Sequence, residues 1–163
     1  MGLVSGLILA LVFGVSEDTS DTVTCNPIEK EINGTSLEGQ LMPGQKVTVL
    51  PTACGLPQRM DFVVFVSDES ENLVIKQIWG MPGDILTVGG RGQVLVNGEQ
   101  TLTPFDKPYI LNRFFKKKLK AFEGELEGYL ALGHPGSLDS GRVGPIPLED
   151  ILGVVKREAG RAR

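Results

Sequence analysis

Leu73-Val74-Ile75-Lys76-Gln77-Ile78-Trp79-Gly80-Met81-Pro82-Gly83-Asp84, followed by Ile85-Leu86-Thr87-Val88, reads as a strand, a tight turn and a second strand. Branched and aromatic residues fill the first run, and turn residues bound it. Met81-Pro82-Gly83-Asp84 suits a type II turn, in which Pro fixes φ and Gly accepts a positive φ. Further apolar runs at 46–50, 61–66, 94–96, 129–132 and 151–155 also read as strands, and Asn97-Gly98 suits a tight hairpin. The exception lies in residues 111–123. Phe115, Leu119 and Phe122 recur there at helical spacing among Arg113, Lys116, Lys117, Lys118 and Lys120, which predicts a short basic helix. The fold class is therefore mainly β.

Composition agrees with that reading. In 163 residues, 41% apolar content is too high for disorder, while 21 Gly and 10 Pro suit short strands and turns rather than a helical bundle. A net charge of -4 lacks the cationic field of a nucleic-acid binder, leaving peptides and membranes as the expected partners. With 1 His and 2 Cys the chain cannot assemble a four-ligand zinc site of the usual kind, so neither metal nor cofactor is expected.

Residues 2–15 (GLVSGLILALVFGV) are apolar and uncharged, and an acidic, hydroxyl-rich stretch follows at once. As a helix they would span about 21 Å against a hydrocarbon core of about 30 Å. No Lys or Arg precedes them, which favours a short membrane anchor over a cleavable signal. The expected organisation is a membrane segment at 1–16, a polar linker at 17–30, a catalytic domain at 31–158 and a basic tail at 159–163. An anchor of this kind would hold the domain outside the cytoplasm, where Cys25 and Cys54 either pair or remain two thiols. Asn33-Gly34-Thr35 matches a glycosylation tripeptide that has meaning only in a eukaryotic secretory setting.

Lys76 has Val74 and Ile78 on its own face of the strand and apolar residues on the other. Burial there would desolvate the ammonium, lower its pKa and allow the neutral amine to act as a general base. A protective lysine on an edge strand is the plain alternative. Ser36, in Asn33-Gly34-Thr35-Ser36-Leu37-Glu38-Gly39, is by itself a turn serine.

The two positions together resemble the type I signal peptidases. Ser36, with Leu37, Leu41, Gly44 and Gln45 at matching places, is similar to that family's nucleophile box, Ser-Met-x-Pro-Thr-Leu with a later Gly-Asp. Arg59-Met60-Asp61-Phe62-Val63-Val64-Phe65 resembles its Arg-Gly-Asp-x-Val-x-Phe strand. Lys76-Gln77-Ile78-Trp79-Gly80-Met81-Pro82-Gly83-Asp84 resembles its Lys-Arg-x-x-Gly-x-Pro-Gly-Asp box, the most specific of the matches. Residues 133–144, then Pro145-Ile146-Pro147 and Ile151-Leu152-Gly153, resemble the closing box, and the boxes occur in family order over residues 32–155.

The resemblance implies a β catalytic core of the kind shared by signal peptidases and LexA-type repressors, with a small inserted region at about residues 97–128. It implies a membrane-bound serine endopeptidase that removes signal peptides from exported proteins through a Ser-Lys dyad and an acyl-enzyme. Ser36 would be the nucleophile and Lys76 the general base. Ser137 would orient the lysine amine and Asp139 would support the closing loop. The domain would face the outer side of the cytoplasmic membrane on a single-pass anchor, against membrane lipid, and bind preproteins as extended strands. The chain departs from the family pattern at several places. Gly39 stands for Pro and Gln45 for Asp; Gly34 stands where some relatives carry a second serine; His134-Pro135 stand for Asp-Asn. Gly141 takes the place of an Arg, with Arg142 one position later, which implies that Asp139 lacks its usual salt-bridge partner.

Other readings are a processing peptidase with narrow substrates such as pilins, a LexA-like self-cleaving protease, and a non-catalytic binding module. The apolar run and the lack of a helix-turn-helix before Ser36 weigh against a repressor. A triad of Ser36 or Ser137 with His134 and Asp139 is a further alternative.

Overall fold

The described strands pair antiparallel throughout, some with their neighbours in the chain and others across long stretches of it. The computed structural model describes residues 25–35 and 37–156, so the apolar run at 2–15, the position of Ser36 and the basic tail lie outside the described residues. Among the described residues, ten strands run in chain order. They are β1 (Ile28–Glu31), β2 (Lys46–Pro51), β3 (Phe62–Ser67), β4 (Ser70–Gly80), β5 (Ile85–Val88), β6 (Val94–Val96), β7 (Glu99–Gln100), β8 (Gly124–Glu125), β9 (Leu130–Leu132) and β10 (Ile151–Val155). Two helices join them, α1 (Arg113–Lys120) and the single turn α2 (Ser140–Val143). A six-stranded antiparallel sheet has the order β1-β2-β10-β3-β4-β9, and a four-stranded one has β7-β6-β5-β8. The mainly β class is what the sequence predicts. Among the described residues no helix is long and apolar enough to cross a membrane.

Alternation along β3 explains why the larger sheet is covered on both faces. Phe62 and Val64 join one buried cluster with Ile32, Leu37, Leu41, Val47 and Val49. Val63 and Phe65 join another with Ile78, Tyr129, Ala131 and Ile151. A third cluster lies under the smaller sheet and takes Leu130 and Leu132 from β9 together with Leu86, Val94, Tyr109 and Leu119. β9 therefore faces two cores.

Three local departures from the sequence reading have physical causes. Residues 28–31, read as the end of a linker and the first residue of the domain, form a strand although all four are exposed. Pairing with β2, Ile28 opposite Val49 and Glu31 opposite Lys46, makes them a strand where propensity does not. The basic helix is shorter than 111–123. Asn112 caps it by accepting from the N–H groups of Phe114 and Phe115, and Phe122 lies past its end, against Gly144. Cys25 and Cys54, left open by the sequence, form a disulfide with Cα atoms 4.9 Å apart.

Candidate active site

The expected turn after β4 forms and is held from outside. Gly83 has φ +89° and the Asp84 N–H donates to the Met81 carbonyl at 3.0 Å. The Asp84 carboxylate accepts the Met81 N–H at 2.6 Å, the Asn97 amide at 2.8 Å and both-oxygen contacts from Arg59 at 2.8 and 2.7 Å. Arg59 also donates to the Trp79 carbonyl. The arginine and the Gly-Asp of the two strand boxes thus fasten the end of β4, the strand that bears Lys76.

On β4, Lys76 pairs in register with Val63 of β3 and is 4% exposed. Its Nζ donates to the Ile75 carbonyl at 2.9 Å. Desolvation brings the amine from 10.5 down to about 8, and the negative charge of Asp139 opposes part of that fall. An amine at this value is neutral in about a tenth of molecules at pH 7, against well under a thousandth for a free lysine.

Asp139 lies in the loop that leaves β9 and is fully buried. Its carboxylate accepts the Ser137 hydroxyl at 3.0 Å, the Gly133 N–H at 2.9 Å and the Gly141 N–H at 3.0 Å, the last as the cap of α2. The Tyr109 hydroxyl lies 2.9 Å from each of its oxygens. Burial pushes the carboxyl upward, against the hydrogen bonds from Gly133, Tyr109 and Ser137 and the attraction of Lys76. Ser140 completes the loop: its hydroxyl accepts the Ala131 N–H at 2.9 Å and ties the turn to β9.

A cleft of about 660 Å³ has Lys76 and the Asp139 partner Ser137 in its wall. Its lining takes Lys76, Ser137 and Leu138, the start of β4 from Ser70, and Lys30 to Gly34 with Leu37. Gly34 and Leu37 border the cleft on either side of position 36 in the chain. Leu37 and Leu41 are buried beneath the larger sheet, and the Leu41 N–H donates to the Leu37 carbonyl at 2.9 Å. Of the four sequence-predicted residues, Lys76, Ser137 and Asp139 therefore meet, while Ser36 lies outside the described residues.

His134 does not join this group: its ring packs on Phe105, centroids 5.3 Å apart, and Asp139 takes its donors from Tyr109, Ser137, Gly133 and Gly141. Arg142 turns away as well and binds Glu69 at 2.6 Å. The residue that sequence reasoning missed is Tyr109. Its only signal was an isolated aromatic in an irregular segment, and the gap at Gly141 gave no hint of what fills it.

No curated protein matches the chain. A family model, that of the signal peptidases of peptidase family S26, does match, over residues 8–158. The chain belongs to the signal peptidase family, peptidase S26.

Proposed function

We propose that this chain is a membrane-anchored serine endopeptidase that removes signal peptides from exported proteins, with Ser36 as nucleophile and Lys76 as general base. The observation that carries this reading is a buried lysine, held at about 8 by desolvation, in the same cleft as Ser137 and both chain flanks of position 36. Neutral Lys76 takes the Ser36 proton as the hydroxyl oxygen attacks the scissile carbonyl. The ammonium returns that proton to the departing amine, leaving an acyl-enzyme. Lys76, neutral again, then activates the water that releases the new carboxylate and frees Ser36. The Ser36 N–H is the proposed oxyanion donor. Ser137, whose hydroxyl proton is committed to Asp139, offers its lone pairs to the lysine.

Walls formed by residues 30–34 and 70–76 suit a peptide bound in extended form. The disulfide fits an oxidising compartment, and with residues 2–15 as anchor the domain faces the outer side of the membrane.

Cleavage of a membrane-embedded preprotein bearing Ala-x-Ala before the processing site, in detergent or liposomes, tests the reading. Wild type is expected to yield product, while Ser36→Ala and Lys76→Ala yield none and stay folded. Activity retained by Lys76→Ala and lost in His134→Ala would overturn it.

A further inference from the structure

Three of the positions at which the chain departs from its family's pattern, Gly39, His134 and Gly141, touch a single segment of the smaller sheet's excursion. Residues 101–109 form a narrow hairpin, in which the Tyr109 N–H donates to the Thr101 carbonyl at 2.8 Å and the Thr103 N–H to the Lys107 carbonyl at 2.7 Å. Phe105 sits at its tip, half exposed, and Tyr109 at its base, fully buried. The Phe105 ring lies over Gly39, where an added Cβ would stand 2.9 Å from the ring edge, and against His134. Gly39 also has φ +98°, so a side chain there is excluded both by the ring and by the backbone. At the other end, a Cβ on Gly141 would collide with the Tyr109 hydroxyl. The phenol occupies the space that a side chain at 141 would need.

We propose that this hairpin is a strap that organises the catalytic segments, with Tyr109 a positioning residue that acts through Asp139 on Ser137 and so on Lys76, while Phe105 seats the nucleophile loop at Gly39. The proposal rests on the Ser-Lys reading above. A phenol differs from a cation here in a useful way. Its single proton is shared between the carboxylate oxygens and leaves their charge in place, so Asp139 still attracts the lysine ammonium and still holds the Ser137 proton. Burial and the adjacent carboxylate push the phenol's own ionisation upward, so it remains a donor throughout the working pH range.

Tyr109→Phe removes the hydroxyl and keeps the ring in the core. In the full chain, kcat on the preprotein is expected to fall about tenfold with KM changed less than about twofold, the loss of one bond to a charged acceptor. In a Ser137→Ala background the same change should cost less than about twofold, since the route to Lys76 is already cut. An unchanged kcat, or losses that multiply, would overturn the route through Ser137. A second readout needs no activity. Tyr109→Phe should speed hydrogen exchange at the Gly133 and Gly141 amides, both donors to Asp139, by about tenfold and spare Val64 and Val154 in the larger sheet. Phe105→Ala should do the same at the Leu41 amide. No change, or uniform acceleration across both sheets, would refute the strap. If wild type cleaves nothing, the peptidase reading fails and the exchange pattern still decides whether the strap exists.

Discussion

At the scale of single residues, burying Lys76 costs the molecule stability, and on the proposed Ser-Lys reading that cost yields a usable base. Lys76 is folded with a pKa of about 8 against 10.5 for a free lysine, so the unfolded chain binds more protons between those values. Stability is therefore expected to rise as pH climbs from about 8 to about 10.5, by up to about 3 kcal/mol, and the full penalty applies below pH 8. Lys76→Met should raise the urea midpoint at pH 7 while abolishing cleavage; an unchanged or lower midpoint would contradict the buried-amine account. If Lys76 is the proposed base, kcat/KM should climb with pH through about 8, and a midpoint near 6.5 would point to a histidine instead. Lys76 was legible as a candidate because its own strand is apolar on both faces, a pattern that goes with a strand covered on both sides. Tyr109 was not, because its importance comes from Asp139, 30 positions away.

At the scale of elements, strands with regular apolar alternation were readable and those formed by pairing alone were not. β1, with the sequence Ile-Glu-Lys-Glu, has no inward face and lies at the edge of the larger sheet. Its attachment depends on β2 and on the Cys25–Cys54 bond, which ties the segment before β1 to the turn after β2 and closes a separation of 29 residues. Replacing both cysteines by serine is expected to lower the unfolding free energy by about 3 kcal/mol, read from urea titrations, with loosening concentrated at β1. Equal stability with and without the bond would show that β1 holds by pairing alone. β10 gives a glycine its reason: a Cβ at Gly153 would collide with the Leu50 carbonyl of the neighbouring β2, next to the register shift between Ile151 and Gly153.

Across the whole molecule, β9 joins the two sheets. Leu130 and Leu132 face the core of the smaller sheet, and Ala131 faces that of the larger one. The Asp139 loop leaves this strand, so packing in either core bears on the site. Leu130→Ala should cost about 2–5 kcal/mol and lower the unfolding of both sheets in one transition. Two separated transitions in calorimetry would show the sheets to be independent.

By itself the sequence determined the mainly β class, the turns at 81–84 and 97–98, the basic helix in outline and Lys76 as a candidate for burial. These depend on neighbours within a few positions, through alternation, turn chemistry and helical spacing. The tertiary structure alone decided that the cysteines pair, that His134 stacks on Phe105, that Arg142 binds Glu69, and that a tyrosine fills the space beside Gly141. Each joins segments far apart in the chain. A buried carboxylate must find donors wherever the folded chain brings them, and no local pattern records which residue that will be.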